Sequence, residues 1–176
     1  MANKLSSVPA NDLNRDSYAS SQSRERALNA AIVQAEISQG YEQYLEIFDA
    51  FYADDVDVSS ETQEEPIRGK TAVRSLLASF LFPLHVIAEV GGLLVSVRHA
   101  TIHADATFET HSAWTVDLVG VSGTTCNLSW RVFRKWRGSR VVYEHHYGQQ
   151  QIGGPLTLND LSFNAATQAL GAQRPS

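Results

Sequence analysis

Helices gathered ahead of a run of strands joined by short turns predict an α+β fold for this 176-residue chain. Two observations carry the prediction. Between Tyr41 and Phe82 apolar residues recur at three- and four-residue steps, first at Tyr44, Leu45, Phe48, Phe51 and Tyr52, then at Ala72, Val73, Leu76, Leu77, Phe80 and Leu81. That is the pattern of helices with one buried side. From Leu93 to Gly148 the chain instead reads as successive strands, interrupted by Gly, Asp and Ser.

Taken in order, Met1 to Ser23 is rich in Ser, Asn, Asp and Ala and holds Pro9, so residues 1–23 read as a flexible arm. The folded domain spans residues 24–153. Leu28, Ala31, Ile32 and Ala35 predict a first helix with Ser23 as N-cap, and Gly40 parts it from the second. Asp54 and Asp55 close the second helix, because short acidic side chains disfavour a helix C-terminus. Val56-Asp57-Val58 alternates like a short strand, and a polar loop ends in Pro66-Ile67-Arg68-Gly69. A third helix then runs to Phe82, where Pro83 stops it.

Leu84 to Val90 reads as a strand or the loop entering one, with a bend at Gly91-Gly92. Strands follow over 93–103, 106–119, 127–136 and 140–148. A tight turn at Ala104-Asp105 sets His103 opposite Ala106, Thr101 opposite Phe108 and Val95 opposite Trp114. One face then carries Val95, Val97, Phe108 and Trp114, the other Arg98, Ala100, Glu109 and His111. In the next strand Leu128, Trp130, Val132, Arg134 and Trp136 share a face. Residues 154–176 form a tail in which Thr157 and Asp160 are placed to start a short helix within Leu156 to Leu170.

Composition narrows the function. The 43% apolar content suits a globular domain, and about 150 residues bury roughly 68–70% of their unfolded surface without a staple. Cys126, the single cysteine, excludes an internal disulfide and reads as a buried thiol. A net charge of -5 argues against electrostatic capture of nucleic acid. No run approaches about 18 successive apolar residues and the N-terminus lacks a signal core. No membrane partner is therefore expected, and a cytoplasmic location is the default. His99 and His103 stand about 13 Å apart along a strand, and no Glu-x-x-His or His-Glu-x-x-His spacing falls on a helix. No metal site is expected.

Tyr52-Ala53-Asp54-Asp55-Val56, followed by Pro66-Ile67-Arg68-Gly69-Lys70 and a helix, resembles the SnoaL-like branch of the nuclear transport factor 2-like (NTF2-like) superfamily. WRVFRKWRGSRVVYEHHYG resembles the closing hairpin of such domains, and the likeness covers about Arg24 to Gly148. It implies a cone-shaped α+β fold, with three helices on a curved, mostly antiparallel sheet enclosing a pocket. It also implies a homodimer through the outer sheet face. Where such proteins are enzymes, it implies cofactor-free isomerase, cyclase or dehydratase chemistry on a small hydrophobic molecule; other members only bind or assemble.

Within that frame His145 is the candidate catalytic residue, because imidazole exchanges protons near neutral pH. On a strand His145 and His146 point to opposite faces, His145 with Val141 and Tyr143, His146 with Val142 and Glu144. The bland alternative is a hydrogen-bonded histidine packed under the helices. Tyr44, Phe48, Ser60, Trp114, Trp130 and Tyr143 are the candidate ligand-binding residues, with Tyr44 and Trp130 positioning the substrate. For the aromatic ones, plain core packing competes. Steroid-isomerase chemistry is disfavoured, since the base position falls at about Ser60 and the oxyanion acid near Asn127 or Ser129, none of them acidic. The Asp-Arg-Asp set of epoxide hydrolase relatives is not recognisable, although Arg131 and Arg134 lie in the corresponding strand. Glu61, Glu64 and Glu65 read as a solvated run.

Overall fold

The computed structural model describes residues 10–89, 93–104, 108–120 and 123–153. Helices α1 (Ala10–Gln34), α2 (Glu42–Phe51) and α3 (Lys70–Glu89) accompany strands β1 (Tyr52–Ser60), β2 (Ile67–Arg68), β3 (Leu93–Ala104), β4 (Glu109–Gly120), β5 (Thr125–Arg137) and β6 (Arg140–Gly153). The strands form one sheet in the order β2-β1-β6-β5-β4-β3. Strands β3 to β6 make an antiparallel meander, as short connections require, while β1 runs parallel to β6. The chain is thus α+β with a mostly antiparallel sheet.

The helical stripes and the sheet close on one core. Leu28 from α1, Phe48 from α2 and Val73 from α3 pack with Tyr52, Val56, Trp136 and Val141. Burying an aliphatic or aromatic side chain stabilises by roughly 1.5–3 kcal/mol, so these contacts fix where the helices sit. Phe48 and Tyr52 stack with centroids 4.4 Å apart. Gly69 turns the chain into α3 at φ 83°, and its N–H donates to the Val56 carbonyl at 2.8 Å. Only glycine takes that backbone shape without a steric penalty.

Several boundaries differ from the sequence reading. The α1 helix begins at Ala10, inside the stretch read as an arm. The α2 helix ends at Phe51, and Tyr52 is already extended (φ -104°, ψ 144°), so its ring enters the core from a strand. The α3 helix runs through Pro83 to Glu89, where a strand or loop was expected. Pro83 removes one backbone hydrogen bond; it sits on the exposed side, and continuing the helix buries Ile87 and Ala88.

In the first hairpin Val95 faces Leu118 and His99 faces Trp114, because pairing starts with Ala104 opposite Thr110 and shifts by one residue between Thr101 and His103. The slip of four residues is even, so Val95, Val97 and Trp114 keep the inner face. Phe108 does not join them: it is exposed, with φ 63°. Residues 1–9, the Gly91-Gly92 bend and the possible tail helix lie outside the described residues.

One irregularity governs the last strand. Lys135 pairs with Tyr143 but Trp136 pairs with Val141, so β6 carries one residue more than β5 across that step. Such a bulge reverses the facing of everything beyond it. Val141 and Glu144 are therefore both buried, three residues apart, which an unbroken strand forbids.

Candidate functional site

Helices and sheet leave a cavity of about 690 Å³ between them. Ile32, Ile47, Leu77 and Leu81 form its helical wall; Val95, Val97, Val116 and Leu118 form its sheet wall. Four of the expected ligand residues line it: Tyr44, Phe48, Trp114 and Trp130. The Tyr44 hydroxyl donates to the Ala35 carbonyl at 2.7 Å, and burial, then Glu36, raises its pKa. Its phenol is a neutral wall group with its proton already committed.

Trp114 and Trp130 face each other across β4 and β5, nearly parallel at 14° with centroids 6.4 Å apart. Both indole N–H groups are buried without a hydrogen-bond partner among the described residues. Each such orphan costs about 1–3 kcal/mol, and native interiors contain few. This wall is built less economically than the core below it.

Three expected site residues fall elsewhere. Beyond the β6 bulge it is His146 that lines the cavity, while His145 turns to the opposite face of the sheet. There His145 Nδ1 lies 2.9 Å from Ser59 Oγ, which also meets the Tyr143 hydroxyl at 3.1 Å. The His145 ring stacks on Tyr147, whose hydroxyl reaches His111 Nδ1 at 3.1 Å. His145 and Tyr143 thus belong to an outer aromatic cluster. Ser60 sits at the end of β1 and meets Thr62 at 3.0 Å, also outside the cavity.

In their place the structure brings a buried polar network to the cavity floor, where Tyr52, Arg134, Glu144 and His146 all contribute wall. Arg134, only 3% exposed, reaches Glu25 through Nη1 and Glu144 through Nε, each at 2.6 Å. The same Nη1 donates to Asn29 Oδ1 at 3.1 Å. Glu25, on α1, also accepts from Thr110 at 2.8 Å and from Ser112. Asn29 donates to Ser112 at 2.7 Å, and the Trp136 indole donates to Thr110 at 2.9 Å. A carboxylate–guanidinium–carboxylate array is therefore present around Arg134. Its acids are glutamates, one from a helix and one from the neighbouring strand, so no single-strand motif reveals it.

Electrostatics sort the members. Burial works to raise the Glu144 pKa, but the Arg134 charge, His146 and their hydrogen bonds outweigh it and hold the carboxyl well below its ordinary value. Burial, reinforced by Glu144 and opposed by Arg134, pushes the Tyr52 phenol well up, so it donates its proton to Glu144 Oε2. Burial also opposes the Arg134 charge, yet the acidic groups around it raise its pKa further. His146 Nε2 stands 2.8 Å from Glu144 Oε1. A carboxylate only accepts, so Nε2 carries the hydrogen and, in the neutral ring, Nδ1 keeps the lone pair. Among the described residues, no three His, Cys, Asp or Glu side chains converge as a metal-ligand set.

Comparison with known proteins places the fold. No family model and no curated protein matches the chain. Among solved structures, Bal32a from a soil-derived mobile gene cassette matches at a TM-score of 0.50 and 9% identity, over 74% of this chain and 89% of that one. An NTF2-like protein of unknown function from Cytophaga hutchinsonii matches at 0.49 and 10% identity, over 74% and 97%. A candidate SnoaL-like polyketide cyclase from Mesorhizobium loti matches at 0.49 and 12%, over 72% and 97%. The chain shares its fold with Bal32a, and its own elements are α+β.

Proposed function

We propose that this is a small-molecule pocket protein whose cavity performs cofactor-free proton transfer on a hydrophobic substrate. The carrying observation is His146, lining the cavity with Nε2 held by the Glu144 carboxylate. That contact fixes the tautomer and would stabilise the imidazolium formed when Nδ1 takes a proton, the role a buried acid plays behind a catalytic histidine. Arg134 keeps Glu144 anionic, and the wall around the reacting group is mostly apolar. Isomerase, cyclase and dehydratase reactions share one step that this arrangement suits: removal of a proton beside a carbonyl. The solved SnoaL-like and NTF2-like proteins support the scaffold for such chemistry, not the reaction.

The test is solvent deuterium uptake at the acidic carbon of an apolar cyclic ketone, 1-tetralone, followed by NMR. The intact chain should accelerate exchange, and His146→Asn should lower that acceleration by about 10²–10⁴, the usual worth of a positioned general base. His145→Asn should leave it within about twofold. Equal exchange by the wild type and His146→Asn sinks the proposal.

A non-catalytic binding role is the second reading. It is favoured by the network's completeness, since both Glu144 oxygens are engaged inside the protein. Native mass spectrometry that finds a co-purified molecule, with no exchange activity, selects it. The same spectrum reads the homodimer proposed for the outer sheet face, where Tyr143, His145 and Tyr147 gather.

A further inference from the structure

Strand β6 breaks register with β5 at two places. The bulge already described lies between Val141 and Tyr143, opposite the step from Trp136 to Lys135. A second lies between Tyr147 and Gln150, opposite the step from Arg131 to Ser129. Each adds one residue to β6 and reverses the facing beyond it. Val141 and Gln151, on either side of the pair, both turn to the interior as unbroken alternation requires. Only the stretch between the bulges is reversed, and His146 stands on it. If the two extra residues came together, that frame would vanish and His145 would face the cavity instead.

The second bulge turns at Gly148, whose φ of 61° suits glycine. Its N–H donates to Glu61 Oε2 at 2.8 Å. The Glu61 N–H in turn donates to the His146 carbonyl at 3.1 Å. Glu61 directly follows Ser60, the last β1 residue paired with β6, which lies opposite His146. Although Glu61 is exposed like its neighbours Glu64 and Glu65, it grips β6 on both sides of Tyr147. An amide bound to a carboxylate is a stronger contact than a neutral pair.

We propose that Glu61 is a positioning residue: by pinning the Gly148 bulge it selects which of two adjacent histidines, His145 or His146, faces the cavity. This rests on the reading of His146 as the proton-transfer base. Glu144, paired with Arg134, anchors the reversed stretch from the interior; Glu61 anchors its far end from the exposed loop. Without the Glu61 carboxylate the Gly148 amide turns to water. The bulge is then free to shift, and His146 Nε2 meets Glu144 for less of the time.

Nitrogen-15 NMR of the histidine rings in the full chain, at a pH that keeps them neutral, tests this without substrate. The wild type should show His146 as the Nε2–H tautomer. Glu61→Ala should mix the two tautomers and speed solvent exchange of the Gly148 amide about tenfold, the worth of one hydrogen bond to a charged group near the low end of its range. Glu61→Gln, whose amide oxygen still accepts, should restore both, and Glu64→Ala should change neither. In the 1-tetralone assay Glu61→Ala should lower kcat about tenfold with KM within about twofold of wild type. A His146 signal that Glu61→Ala leaves unchanged, one that Glu61→Gln does not restore, or an unchanged kcat in an active chain overturns the proposal. Loss of the tautomer in Glu61→Ala, in a protein whose wild type exchanges no tetralone, upholds the positioning role and sinks the proton-transfer reading alone.

Discussion

Arg134→Met should lower the folding free energy by about 3–5 kcal/mol, the loss typical when one partner of a buried ion pair is removed. The guanidinium is 3% exposed and stands between Glu25 and Glu144. Without it, two carboxylates share a buried space and their negative charges are left uncompensated. Methionine fills comparable volume, so the loss reports charge rather than a void. For a chain of this length, each kcal/mol shifts the melting temperature by about 2–4 °C. Glu25→Gln should cost less, about 1–3 kcal/mol, because the amide oxygen still accepts a hydrogen bond. Urea unfolding at unchanged m-value measures both. An Arg134→Met unfolding free energy within about 1 kcal/mol of wild type would mean that water reaches the cavity floor and solvates the two carboxylates.

Much of the architecture was legible because side-chain periodicity reports local structure directly. Leu28, Phe48 and Val73 occupy the buried sides that three- and four-residue spacing assigns them. The β5 alternation likewise placed Val132, Arg134 and Trp136 on one buried face. The site was less legible, for two physical reasons. A bulge adds a residue without a distinctive sequence mark, so simple alternation put His145 where His146 belongs. Long-range pairing was the other obstacle. Glu25 and Arg134 are far apart in sequence, and neither Glu25 nor Asn29 looks unusual on a helix of mixed polarity. The usable clue was Arg134 itself, since a guanidinium on an inward face demands acidic partners. Glu144 lay on the adjoining strand and within reach of that inference.

Acidification should loosen the same network. Burial favours a protonated Glu144, but Arg134 and His146 dominate and hold its pKa well below the ordinary 4.5. A group with a depressed folded pKa binds protons less readily in the native state than in the unfolded chain. Its stabilisation is fully present above the unfolded value and drains as pH falls below it towards the folded one. Unfolding free energy should therefore decline steadily from about pH 5 downwards. Asp55 and Asp117 slope the same way, through Arg137 and through Asn127 and Arg98 respectively, but these acids are solvent-exposed and salt-screened. Comparison with Glu144→Gln isolates the buried contribution. The variant should be less stable at pH 7, flatter in acid, and converge on the wild type as pH falls. Parallel curves from pH 7 to pH 3 would show that Arg134 and His146 do not depress the Glu144 pKa in the folded chain. Glu144 would then hold His146 no more firmly than a solvated carboxylate does, and the electrostatic support for the proton-transfer reading would be lost.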